Sequence, residues 1–130
     1  MKLLTKELEK KIPPLYSQEN VKDPMVVAKF FFPAGSAAWW IIEGEWKPEM
    51  EYIEDSLVET DEYVQFQTKD VGRDYLMFGL CMLFTPQEAE LGYVSLNELA
   101  SVTGPMGLKV ERDMYWTPVP LSKVKERLGI

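Results

Sequence analysis

The chain has 130 residues, a formal charge of −7 at neutral pH, 46% apolar and 27% charged residues, no histidine and one cysteine, Cys81. That length and composition suit one soluble domain, residues 1–130, with a real core, and a lone cysteine excludes an intrachain disulfide or a cysteine-rich zinc site. Without histidine the commonest general base, the usual partner of a serine or cysteine nucleophile and the usual ligand for zinc, copper or non-haem iron are all missing, so chemistry would fall to carboxylates, Lys, Tyr or a hard metal ion on oxygen ligands.

The start, MKLLTKELEKK, lacks the apolar run of a signal peptide. The longest uncharged stretches, Phe30 to Ile42 and Tyr75 to Gln87, are too short to cross a bilayer. A cytoplasmic protein without a membrane segment is expected, and its oligomeric state is left open.

Thr5 followed by KELEKKI predicts a short helix capped by Thr5, with Leu8 and Ile12 inward and Pro13-Pro14 ending it. After turn-rich LYSQENVKDP, the run MVVAKFFF (Met25 to Phe32) predicts a strand, and PAGS turns it into a hairpin partner, Ala37 to Glu43. On the latter, Trp39, Ile41 and Glu43 should share one face and Trp40 and Ile42 the other.

From Glu43 to Glu62 there are nine carboxylates against Lys47 alone, a window of −8 against +1 for the rest of the chain. Its secondary structure stays open: Pro48 can begin a helix with Met50, Ile53 and Leu57 on one stripe, while Met50 and Tyr52 fall equally well on one strand face. Next, Tyr63 to Thr68 and Tyr75 to Phe84 predict a hairpin turned at KDVGRD around Gly72, with Gly79 marking a bulge or close backbone approach. Cys81 in that run reads as a buried, inert thiol.

Glu90 to Val94 predicts a short strand leading into a helix through the capping box Ser95–Glu98. GPMG (Gly104 to Gly107) ends that helix and turns the chain into LKVERDMYW; LSKVKERLG then predicts a last helix capped by Ser122 and ended by Gly129. The expected fold is α+β: a mainly antiparallel twisted sheet of about five or six strands with three short helices.

Three sets of residues are candidates for function. Arg112, in the triplet Glu111-Arg112-Asp113, should sit on an apolar strand face, which calls for a carboxylate partner such as Glu43 or Glu90, or for an anionic ligand that it clamps. Glu43, Glu90, Glu111 and Asp113 would be the ligands and catalytic groups of a nuclease using Mg²⁺ or Mn²⁺, if they converge. The acidic segment, with Trp46, Glu49, Glu51, Glu54, Asp55, Glu59, Asp61 and Glu62, would dock on a basic protein, including a nucleic-acid-binding protein whose phosphate site it occupies. Direct nucleic-acid binding is disfavoured by the same charge. No cofactor is expected outside the nuclease alternative, since phosphate-loop and nucleophile-elbow motifs are absent.

The segments LLTKEL…PPLYS (Leu3 to Ser17), WW…E (Trp39, Trp40, Glu43), MFG (Met77 to Gly79), ELGYVSLNEL and GPMGLKVERDMYW resemble the bacterial, plasmid and phage family known as domain of unknown function 2958. The resemblance implies a small accessory protein of a mobile element, associated with plasmid maintenance or anti-restriction. Some such proteins are labelled single-strand DNA endonucleases, and the resemblance brings no catalytic residues with it. Between Glu43 and Tyr75 this chain departs from the pattern through its longer acidic stretch.

Overall fold

A computed structural model describes the backbone of residues 1–59 and 64–130 and the side chains of residues 1–48 and 72–130. The main sheet is antiparallel and five-stranded, in the order β5 (Glu90–Ser95), β4 (Val64–Met82), β3 (Ala38–Glu59), β2 (Ala28–Phe31) and β6 (Glu111–Arg112). A second, two-stranded sheet pairs β1 (Met25–Val26) with β7 (Val119–Pro120). With helices α1 (Lys6–Lys11), α2 (Leu96–Ser101) and α3 (Leu121–Leu128), the architecture is the α+β arrangement expected from the sequence.

The apolar run Met25 to Phe32 is not one strand. Val26 pairs with Val119, Val27 donates its amide to Ile41 O at 2.9 Å, and Ala28 to Phe31 pair with both β3 and β6. Its apolar character follows from that position: Val26 and Phe30 are fully buried. Two cores form, one on each face of the main sheet. Ala28, Phe30, Trp39, Ile41, Tyr75 and Met77 pack under Leu3, Leu4 and Leu99. On the other face Val26, Trp40, Ile42 and Leu80 pack against Leu121 and Val124 of α3.

Two register shifts correct the sequence reading. Ile41 pairs with Gly79 but Glu43 with Phe78, so Ile42 is an inserted residue. The bulge moves Glu43 off the face of Trp39 and Ile41 and onto that of Ile42 and Phe78, with which it lines a groove. Gly79 permits this, because a Cβ there would lie 1.9 Å from Trp40 O. The second shift lies at Gly72, expected in a hairpin turn. β4 runs straight through it: Glu49 pairs with Gly72 and Met50 with Asp70. With φ of 142°, Gly72 supplies the backbone freedom of a bulge rather than a turn. The helix alternative for the segment after Pro48 is likewise displaced by strand, since Pro48 pairs with Arg73 and the ladder continues to Glu59.

The helix ends mix local and distant chemistry. Thr5 Oγ1 accepts from Leu8 N at 3.1 Å, and Ser95 Oγ accepts from Glu98 N at 3.1 Å while donating to Asp74 Oδ2. Ser122 does not cap α3; it lies inside the first turn. The cap comes from Asp23, whose carboxylate accepts from Ser122 N at 2.9 Å and Ser122 Oγ at 2.6 Å. These bonds hold the Asp23 carboxyl below the ordinary aspartate range. Gly129, with φ of 76°, ends the helix as expected. Among the described residues no helix is long and apolar enough to cross a membrane.

Candidate functional site

Strand pairing divides β3 and β4 into a base and a ribbon. β2 covers β3 only from Ala38 to Ile41, and β5 covers β4 only from Leu76 to Cys81. Asp74 and Arg73 still meet α2, through Asn97 N and Asn97 Nδ2 respectively. Beyond them the two strands pair only with each other among the described residues, out to Glu59 and Val64. Residues 49–72 hold eight carboxylates and one lysine, a charge of −7, while the other 106 residues hold thirteen acidic and thirteen basic side chains. The protein's entire net charge therefore falls within residues 49–72 of the sequence, and the described strand residues of that span, 49–59 and 64–72, hold −5 of it. Glu43 and Glu45, counted with the acidic window from sequence, belong to the base. The side chains of Glu49, Glu51, Glu54, Asp55 and Glu59, and Asp61 and Glu62 altogether, lie outside the described residues.

Trp46, expected at an exposed interface, is instead half-buried on the base. Its Nε1 donates to Glu9 Oε1 of α1 at 2.7 Å, its ring meets Tyr75 edge-on at 5.2 Å, and Arg73 stacks over it at 4.9 Å. Burial, then the charges of Glu9 and Glu45, push the Tyr75 hydroxyl up to about 12.

The four carboxylates weighed for a metal are not brought together. Glu90 is on β5 and Glu111 on β6, the opposite edges of the sheet, four strand spacings or about 19 Å apart. Glu43 is buried and occupied, accepting from Tyr16 N at 3.1 Å and Gln18 N at 2.7 Å. Asp113 lies past the end of the two-residue strand β6, where its Oδ1 accepts from Tyr115 N at 3.0 Å and closes a local turn. Among the described residues no three such groups gather as a metal would need.

Arg112 finds neither carboxylate. Its Nη1 donates to Lys2 O at 2.6 Å and Leu3 O at 3.0 Å, tying the N-terminal strap across the sheet and burying Leu3 and Leu4. Two backbone carbonyls thus take the place of the expected ion pair. Cys81 is half-buried rather than fully enclosed, and burial followed by the charge of Glu90 raises its thiol, so the inert reading of that residue stands.

Of the concavities among the described residues, two bear on binding. The larger, about 770 Å³, lies beneath the strap. Leu3, Leu4, Trp46, Leu96, Leu108 and Val110 form its apolar wall, and Lys2, Lys6 and Lys109 face it with Glu9 and Glu111. The smaller, about 440 Å³, lies between Tyr16, Phe78 and Tyr93 over Glu43. Tyr16 is held there in the left-handed region at φ 69°, a strained setting for a non-glycine residue that its bond to Glu43 secures. Interaction with the Tyr16 hydroxyl, then burial, raises the Tyr93 hydroxyl.

Neither concavity was read from the sequence. Each is lined from segments far apart in the chain, and the one available signal was that LLTKEL, SLNEL and GPMGLKVER, which line the larger, were already singled out as distinctive. No curated protein and no solved structure matches this chain. A family model described as Protein of unknown function (DUF2958) matches residues 64–126, from the second strand of the ribbon to α3.

Proposed function

We propose that this protein is a non-enzymatic accessory module that acts by protein–protein contact, docking its acidic ribbon on a basic partner. The observation that carries this reading is one of charge and pairing: residues 49–72 hold the whole net charge of −7, and the strand residues described there, 49–59 and 64–72, hold −5 of it and form no strand pairs except with each other among the described residues. A two-stranded ribbon with no neighbouring strand is marginal in water, and a partner would supply both a covering surface and the opposite charge. The ribbon's sequence also contains Tyr52, Ile53, Leu57 and Phe66, the aromatic and aliphatic types that an interface core uses. Glu43 to Glu62, which carry most of the acidic charge, fall outside the family match, while the second strand of the ribbon from Val64 lies within it.

The fitting partner is a basic host or element-encoded protein, including a nucleic-acid-binding protein whose phosphate-contacting surface the ribbon would cover. Anti-defence or maintenance work on a mobile element is one setting for such contact. The test is calorimetric titration against a panel of purified basic nucleic-acid-binding proteins, with the parent chain and a variant carrying Glu49→Lys, Glu51→Lys, Glu54→Lys and Asp55→Lys. Binding should weaken by at least roughly ten-fold and lose its salt dependence. Unchanged affinity in the variant would end the proposal.

A further inference from the structure

We propose that the cavity beneath the N-terminal strap binds an amphipathic anion, its apolar body against the leucines and Trp46 and its single carboxylate or phosphate head among Lys2, Lys6 and Lys109. The volume of about 770 Å³ falls within the range of small-molecule sites. Such sites combine an apolar wall with a few convergent polar groups, which is the arrangement here.

Charge selects the head group. In a chain with seven more acidic than basic residues, three lysines face this one cavity. The opposing carboxylates are unequal. Glu9 is engaged by Trp46 Nε1 at 2.7 Å, so part of its acceptor capacity is already used. Glu111 is the like charge an anion would meet. Lys109 Nζ donates to Thr103 Oγ1 at 3.1 Å, which steadies it at the mouth and leaves two ammonium protons for a ligand.

The strap forms one side of the site. Its residues Met1 to Leu4 line the cavity, with both leucines buried and the backbone tied to the fold by the Arg112 guanidinium at Lys2 and Leu3. None of these groups belongs to the ribbon, and the site is independent of ribbon docking.

The experiment is calorimetric titration of the full chain with decanoate and decyl phosphate, against decyl maltoside and decyltrimethylammonium as neutral and cationic tails of equal length. The anions should bind roughly ten-fold more tightly than the other two, the combined effect of a few partly screened charge contacts. Lys109→Glu should weaken decanoate roughly five-fold, while Glu111→Gln should strengthen it. Ala100→Trp, on the exposed face of α2 that lines the cavity, should weaken binding by obstructing it; Leu108→Trp serves the same purpose if the first variant does not fold. Reversing the ribbon charges should leave decanoate affinity unchanged. Equal binding of all four tails, indifference to both tryptophan variants, or sedimentation with anionic lipid vesicles in the absence of any binding to the free amphiphiles would overturn the proposal.

Discussion

Replacing Arg112 by Ala should release the N-terminal strap while leaving the sheet intact. Burial of Leu3 and Leu4 stabilises the strap by about 3–6 kcal/mol, and ordering its four residues costs about 4–8 kcal/mol of backbone entropy. Those two quantities nearly cancel. The charge-assisted bonds from Arg112 to Lys2 O and Leu3 O therefore decide whether the strap stays down. Such bonds contribute about 1.5–3 kcal/mol each, toward the lower end here because the freed carbonyls can be rehydrated. A loss of about 3 kcal/mol for the two bonds together shifts the opening equilibrium roughly 150-fold. Trypsin cleavage after Lys2, whose carbonyl Arg112 holds, reads that equilibrium directly when reclosing is fast. Cleavage should accelerate by about that factor in Arg112→Ala, and less in Arg112→Lys, whose compact ammonium lacks the planar fork. A rate within about two-fold of the parent would show that the strap is held by burial alone. A double-mutant cycle with Glu43→Gln should give coupling below about 0.5 kcal/mol, since the two side chains share no contact.

Gly79→Ala should cost on the order of 3 kcal/mol in urea denaturation, because its Cβ would meet the Trp40 backbone oxygen; Gly92→Ala, with open space around it, is the control and should change little. Glu43→Ala should cost about 2–4 kcal/mol by the same measurement, as two amides lose their acceptor and the strained Tyr16 loses its anchor. The Asp23 carboxyl titrates below its unfolded value, so its stabilisation is complete above about pH 3.9 and disappears as pH falls through the folded value. Asp23→Asn should accordingly flatten the decline of the urea midpoint as pH falls below about 3.9; an unchanged decline would show that the Asp23 cap contributes nothing to acid stability.

The local features were legible in the chain. Thr5 and Ser95 cap the helices assigned to them, and Gly79 marks a close backbone approach, because each depends on residues within a few positions or on a unique absence of side chain. Misreadings came where distant residues decide. Glu43 changes face because one inserted residue, Ile42, reverses the strand's alternation, and no pattern in AAWWIIE announces a bulge. Gly72 carries turn chemistry but sits in a continuous strand, since its positive φ serves a bulge as well as a turn. The cap of α3 arrives from Asp23, ninety-nine residues before Ser122. Arg112 was expected to meet a carboxylate or an anionic ligand, and the strap carbonyls Lys2 O and Leu3 O stand where the carboxylate was expected. The acidic window was visible at once; that its carboxylates from Glu49 to Glu59 lie on a strand pairing only with β4 among the described residues required the limits of β2 and β5.

The most direct test of ribbon docking excises residues 49–72 and joins Pro48 to Arg73 through Asn-Gly, a two-residue hairpin turn. The account predicts a protein of zero formal charge whose base retains its stability to within about 1 kcal/mol, by the additivity of separate elements, and which no longer binds a basic partner of the parent chain. Retained binding by this folded base would contradict it.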